Sequence, residues 1–143
     1  MIVRFTVPGE PKGKGRPRFT SRGGYPRVYT SAETTAYENK VRFCYITNCH
    51  KLKFEGSIAL TAICYFPIPK STTKKQKELM LAGKVYHTKR PDVDNCIKSL
   101  LDGLNGVAFV DDKQIAEICA LKLYSDEPRV ELTIEDIPRS DEW

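Results

Sequence analysis

The chain has 143 residues, 41% hydrophobic and 29% charged, a length that suits one domain with its own core and a composition that excludes a disordered or fibrous protein. Its apolar runs fall far short of the roughly 20 residues of a membrane-spanning helix and its N-terminus lacks a secretory signal, so the expectation is a chain that stays inside the cell with no membrane partner. The net charge of +5 is unevenly spread: residues 1–42 carry nine Lys/Arg against three acids, residues 70–90 seven against one, and residues 91–143 five against thirteen.

In chain order, IVRFTVP at residues 2–8 alternates as a half-buried strand does and stops at a proline and glycine. The following GEPKGKGRPRFTSRGGYPRVYT, with five glycines and three prolines among basic and aromatic residues, reads as a long surface loop. Ser31 is placed to cap a helix over about 32–48, whose face of Tyr37, Val41 and Cys44 or Tyr45 repeats every three or four residues. SIALTAICYF, apolar on both faces, predicts a central strand ended by Pro67 and Pro69.

STTKKQKELMLAG predicts a short basic helix between Ser71 as N-cap and Gly83, inside a basic surface insertion at about 67–88. From Val93 or Asp94 a second amphipathic helix carries Ile97, Leu100, Leu101 and Leu104 on one stripe and ends at GLNG. IAEICALKLY and RVELTIED, joined by SDEP, predict an antiparallel hairpin. The expected architecture is therefore α+β (mixed α/β), one layer of about four main strands packed with helices, in a single domain over 1–143.

The chemistry concentrates in KRPDVDNCIKSLLDG. One aspartate at a helix start is explained as a cap, but a cap needs one acceptor, and Asp92 and Asp94 supply two side chains. Rotation of about 100° per residue puts Asp94, Lys98 and Asp102 on one flank of the helix, beside its apolar stripe; an exposed Lys98–Asp102 ion pair accounts for part of that ridge equally well. A second acidic doublet, Asp111 and Asp112, stands before a strand, where a turn would also favour aspartate. Two doublets flanking one short helix, in a chain with two basic segments, match the oxygen-rich sets that Mg²⁺ or Mn²⁺ requires.

In this reading the acidic doublets hold a divalent cation that activates water for phosphodiester hydrolysis, and a nearby lysine stabilises the growing charge. The cations expected to meet phosphates are Lys12, Lys14, Arg16 and Arg18 in the first loop, Lys74 and Lys75 in the short helix, and Lys89 and Arg90 directly before the acids. The alternative of a different class is a noncatalytic DNA-binding accessory protein whose acids are structural. Other chemistries fit worse. GEPKGKG has the wrong glycine spacing and no following Ser/Thr for a phosphate loop, His50 and His87 are far apart, and the five scattered cysteines have no C-x-x-C pair and read as reduced thiols.

The residues K-R-P-D-V-D-N-x-x-K-x-x-x-D-G-L-N-G at 89–106, the later D-D-K-Q-I, the early P-x-G-K-x-R-P-R and the Y-T-S-x-x-T-x-x-Y-E segment at 29–38 resemble the RusA family of Holliday junction resolvases, which includes many phage and prophage members. The resemblance implies a Mg²⁺-dependent, structure-selective endonuclease acting as a homodimer that makes paired, symmetric nicks in a four-way DNA junction. It implies that Asp92, Asp94 and Asp112 are the metal-binding aspartates and Lys98 the active-site lysine. Asp102 and Asp111 match acidic positions beside these. The insertion before the aspartates is longer here than in the best-known member, so a cut-site preference is not carried over.

Overall fold

The computed structural model describes residues 1–15 and 18–142. Its main sheet is assembled by apolar alternation. β1 (Ile2–Pro8) turns Val3, Phe5 and Val7 to one face, opposite Ile134, Leu132 and Val130 of antiparallel β6 (Arg129–Asp136). These β6 residues in turn oppose Leu60, Ala62 and Cys64 of β4 (Ile58–Pro67), so three strands present a continuous apolar face. Strand period two makes paired residues share a face, and every β4 side chain on this one, from Ile58 to Phe66, is buried.

Two helices cover that face. α1 (Ala32–Cys49) starts at Ser31, whose hydroxyl accepts the Thr34 backbone N–H at 3.3 Å, and buries Tyr37, Val41, Tyr45 and Cys49. α3 (Val93–Leu104) buries Cys96, Ile97, Leu100, Leu101 and Leu104, the predicted stripe with one thiol added. The two helices approach closely at Gly103, where a Cβ would lie 2.8 Å from Val41 Cβ and 2.9 Å from the Glu38 carbonyl oxygen. The fold is mixed α+β, with a four-stranded sheet in the order β1-β6-β4-β5.

The closing hairpin expected from IAEICALKLY and RVELTIED does not form. β5 (Ile115–Ser125) pairs parallel with β4, while β6 lies on β4's other side, antiparallel to it. The two strands thus stand about 10 Å apart, and residues 126–128 bridge them past the end of β4, where Pro67 is still paired with Ser125. The reason lies in the faces: Val130, Leu132 and Ile134 suit β6 to a place between two strands, whereas Glu117 and Cys119 leave the first half of β5 exposed, as fits an edge. A parallel β4–β5 pair needs a long crossover, and the chain from Pro67 to Gln114, including α3, supplies it.

Two further departures concern surface elements. Within the predicted loop, β2 (Arg18–Thr20) and β3 (Arg27–Tyr29) form a small antiparallel ribbon separate from the main sheet. The short basic helix is present as α2 (Lys74–Leu81), but Thr73 rather than Ser71 caps it. Thr73 and Gln76 exchange side-chain and backbone hydrogen bonds at 3.1 and 3.2 Å, a reciprocal pair that Ser71 has no partner to make. α2 buries no residue and so is a surface element.

Candidate active site

α3 begins at Asp92, whose backbone is extended (φ −64°, ψ 153°) as an N-cap requires, yet whose carboxylate makes no capping hydrogen bond. Asp94 follows in the first turn, also exposed, and neither carboxylate has a hydrogen bond or ion pair among the described residues. The segment leading to them is anchored from the sheet. The His87 backbone N–H donates to the Lys122 carbonyl at 2.8 Å, and Lys122 Nζ donates to the Lys89 carbonyl at 2.7 Å. The His87 ring stacks on Phe66 at 3.7 Å and leans on Tyr124. Burial, then Lys122 and Lys89, push its pKa down, so it is a neutral core histidine.

The first loop is tied to the same end of α3. Lys14 N–H donates to the Asn95 carbonyl at 3.1 Å, Ser99 Oγ donates to the Lys12 carbonyl at 2.7 Å, and Gly13 sits where a Cβ would be 2.7 Å from Pro91 Cβ. Beside it runs a charge network. Lys14 Nζ is shared between Glu38 and Asp102, at 2.9 Å from the latter, and Asp102 also pairs with Lys98 at 3.1 Å. Burial opposes ionisation of Asp102, but the hydrogen bonds from Lys14 and Lys98 outweigh it and leave the carboxyl below its ordinary range. Likewise burial would lower the Lys14 pKa, and Glu38 and Asp102 overcome it and raise it.

The second acidic doublet divides into two roles. Asp111 caps the 3-10 turn at Asp112–Gln114: its Oδ1 accepts the Lys113 N–H at 3.0 Å, and Gln114 Oε1 accepts from Val110 and Asp111 N–H at 2.8 and 3.2 Å. The Lys113 N–H first, then the Asp112 side chain, lower the Asp111 pKa. Gln114 Nε2 donates onward to the carbonyls of Phe54 and Gly56, at 3.2 and 3.0 Å, so it pins the turn to the segment before β4. Asp112 serves no cap and remains beside Asp111.

The two doublets lie at opposite ends of α3. Cys96, which Asp92 and Asp94 influence electrostatically, meets Cys64, the register partner of Lys122; the Asp111/Asp112 turn enters β5 at Ile115, level with Ile58. At about 3.3 Å per residue that is a separation of about 20 Å along the sheet. Accordingly, no group of three or more His, Cys, Asp or Glu side chains able to hold a metal occurs among the described residues. Within one chain Asp92 and Asp94 share the N-terminal end of α3, and Asp112 stands apart from both.

Of the cations expected to meet phosphates, Lys12, Lys74, Lys75, Lys89 and Arg90 are exposed, while Lys14 is engaged internally. Arg18 opens β2, and Arg16 lies outside the described residues. Sequence reasoning missed Lys122, Ser99 and Glu38, because each acts through a contact between distant segments. Gln114 had a local signal in its spacing from Asp111.

The protein-family model for endodeoxyribonuclease RusA matches residues 8–135. The chain belongs to the RusA endodeoxyribonuclease family. A relative from Bacillus subtilis (strain 168), the uncharacterized protein YqaN, is 34% identical over 137 residues, covering 94% of this chain and 96% of that protein. For a RusA-family nuclease, both doublets, the lysine between them and the stapled first loop fall within the matched span.

Proposed function

We propose that the protein is a Mg²⁺-dependent, structure-selective endonuclease that resolves four-way DNA junctions by paired, symmetric nicks as a homodimer, with Mn²⁺ able to replace Mg²⁺. The observation that carries this reading is the Asp92/Asp94 pair: two exposed carboxylates, released from capping and from any partner among the described residues, in a chain of a DNA-cutting family. The donor set fits the ion, since Mg²⁺ is held by one or two carboxylates and completes its shell with waters and substrate phosphate oxygens. When bound there, it supplies neutralisation of the meeting carboxylates and phosphodiester and an acidified water.

The chain's own residues do the rest. Lys89 and Arg90 flank the acids and receive the phosphate. Lys98 is half exposed and, among the described residues, paired only with Asp102, so it can turn towards negative charge growing on the phosphate. Asp112, about 20 Å away in its own chain, joins Asp92 and Asp94 from a second copy in our proposal. The two-fold symmetry of such a pair matches that of a four-way junction and gives two equivalent sites. Exposed Val110 and Ile118, beside the Asp112 turn and on edge strand β5, are surface that a second copy can cover.

The test is incubation of the native chain with synthetic four-way, flap and linear DNA in Mg²⁺, with every product strand mapped. Paired symmetric nicks confined to the four-way junction are expected. Equal cutting of linear duplex would defeat the junction reading, and binding without cleavage in either Mg²⁺ or Mn²⁺ would leave the accessory-protein alternative standing.

A further inference from the structure

The β2–β3 ribbon has an unusual surface. Its register pairs Phe19 with Val28, and both point into solvent, 76% and 63% exposed; Tyr25 near the tip is 72% exposed. The neighbouring register positions hold Arg27 and Tyr29, also exposed, so the ribbon has an apolar face and a basic-aromatic face. Residues 11–30 contain six Lys/Arg and no acid. Arg22 and Arg27 are exposed and have no ion pair among the described residues. A two-stranded ribbon is marginally stable alone and gains from burying such side chains against a partner.

The charge selects a polyanion, and the rings select one that offers flat apolar faces. Stacked duplex DNA hides those faces; a branch point uncovers them. The ribbon is also placed for this, because its root at Lys12–Gly15 is fastened to α3 beside Asp92 and Asp94 through Asn95 and Ser99, and to the first turn of α1 through Thr34. We propose that the ribbon is a branch-point wedge: Phe19 and Tyr25 stack on bases unstacked at the centre of branched DNA, while Arg22 and Arg27 hold the flanking phosphates. Aromatic stacking of this kind tolerates any base, and apolar wedges between base steps unstack them. The inference rests on the reading of this protein as a branched-DNA nuclease.

The experiment uses the full chain without divalent cation and a four-way junction carrying 2-aminopurine next to the branch, with a linear duplex of the same sequence as control. The native protein is expected to raise 2-aminopurine fluorescence in the junction. The double variant Phe19→Ala/Tyr25→Ala is expected to lose that rise, to bind the junction about tenfold more weakly, and to keep the native duplex affinity and salt slope, since no cation is removed. Phe19→Trp should restore the signal. A native-size signal and affinity in the double variant would overturn the wedge, as would equal weakening on junction and duplex, or loss of self-association as the only effect. A native chain that binds neither DNA would instead remove the nuclease reading on which the wedge depends.

Discussion

At the scale of single residues, Asp92 stands where an aspartate usually contributes about 1 kcal/mol by capping, and its carboxylate leaves that contribution unused. Two exposed carboxylates without a protein partner among the described residues at one helix end leave oxygen donors available to a cation. Replacing Asp94 by Asn is expected to lower cleavage about 100-fold or more while junction binding is unchanged or tighter, because a negative charge facing phosphate is gone. Cleavage and binding assays on the same preparation check this, and undiminished cutting would refute the metal assignment. Asp102 makes a different prediction. Its native pKa lies below its ordinary value of 3.8, so its stabilisation is complete above about pH 4 and is lost as pH falls through the native value. Lys14, raised above 10.5, stabilises fully below that pH and loses its effect as pH rises through its native value. Thermal melts of Asp102→Asn should therefore show a shallower fall in Tm between neutral pH and pH 2 than the native chain, and Lys14→Met a shallower fall above pH 10.5.

At the scale of elements, the turn before β5 depends on one amide. Gln114 satisfies two N–H groups of its own turn and two carbonyls of the segment before β4. Gln114→Ala is expected to destabilise the fold by about 1–3 kcal/mol and to reduce cleavage through the misplaced Asp112, measured by urea unfolding alongside activity. α2 behaves in the opposite way: it buries nothing, and Lys74 and Lys75 lie on its exposed first turn. Lys74→Ala/Lys75→Ala should leave the melting temperature unchanged yet reduce the salt slope of DNA binding by about two. An unchanged slope would take α2 out of the interface.

For the molecule as a whole, the separation of the two doublets sets the decisive prediction. If each site takes Asp92 and Asp94 from one copy and Asp112 from the other, mixing inactive Asp94→Asn chains with inactive Asp112→Asn chains gives heterodimers with one intact and one doubly defective site. Random exchange makes half the dimers mixed, so about a quarter of native cutting per dimer should return. Single nicks in place of paired ones should accompany it. If all three acids serve within one chain, mixing restores nothing.

Much of this protein was legible before folding. Period-two alternation located β1 and β4, the three-and-four spacing located α1 and α3 with their buried faces, and the D-x-D-N-x-x-K and D-D-x-Q spacings singled out the acids and their family. These are short-range signals, set by backbone geometry within one element. The partner of β5 was not legible, because a connection as short as residues 126–128 serves a hairpin and a crossing of β4 alike, and only competition among strand faces for the sheet centre decides between them. Nor was the engagement of Lys14, which looked like a free cation until α1 and α3 brought Glu38 and Asp102 to it. The sequence by itself determined the family and singled out the acids and cations proposed for the chemistry; the tertiary structure alone decided how far apart they stand, since distance between elements depends on how the whole core packs.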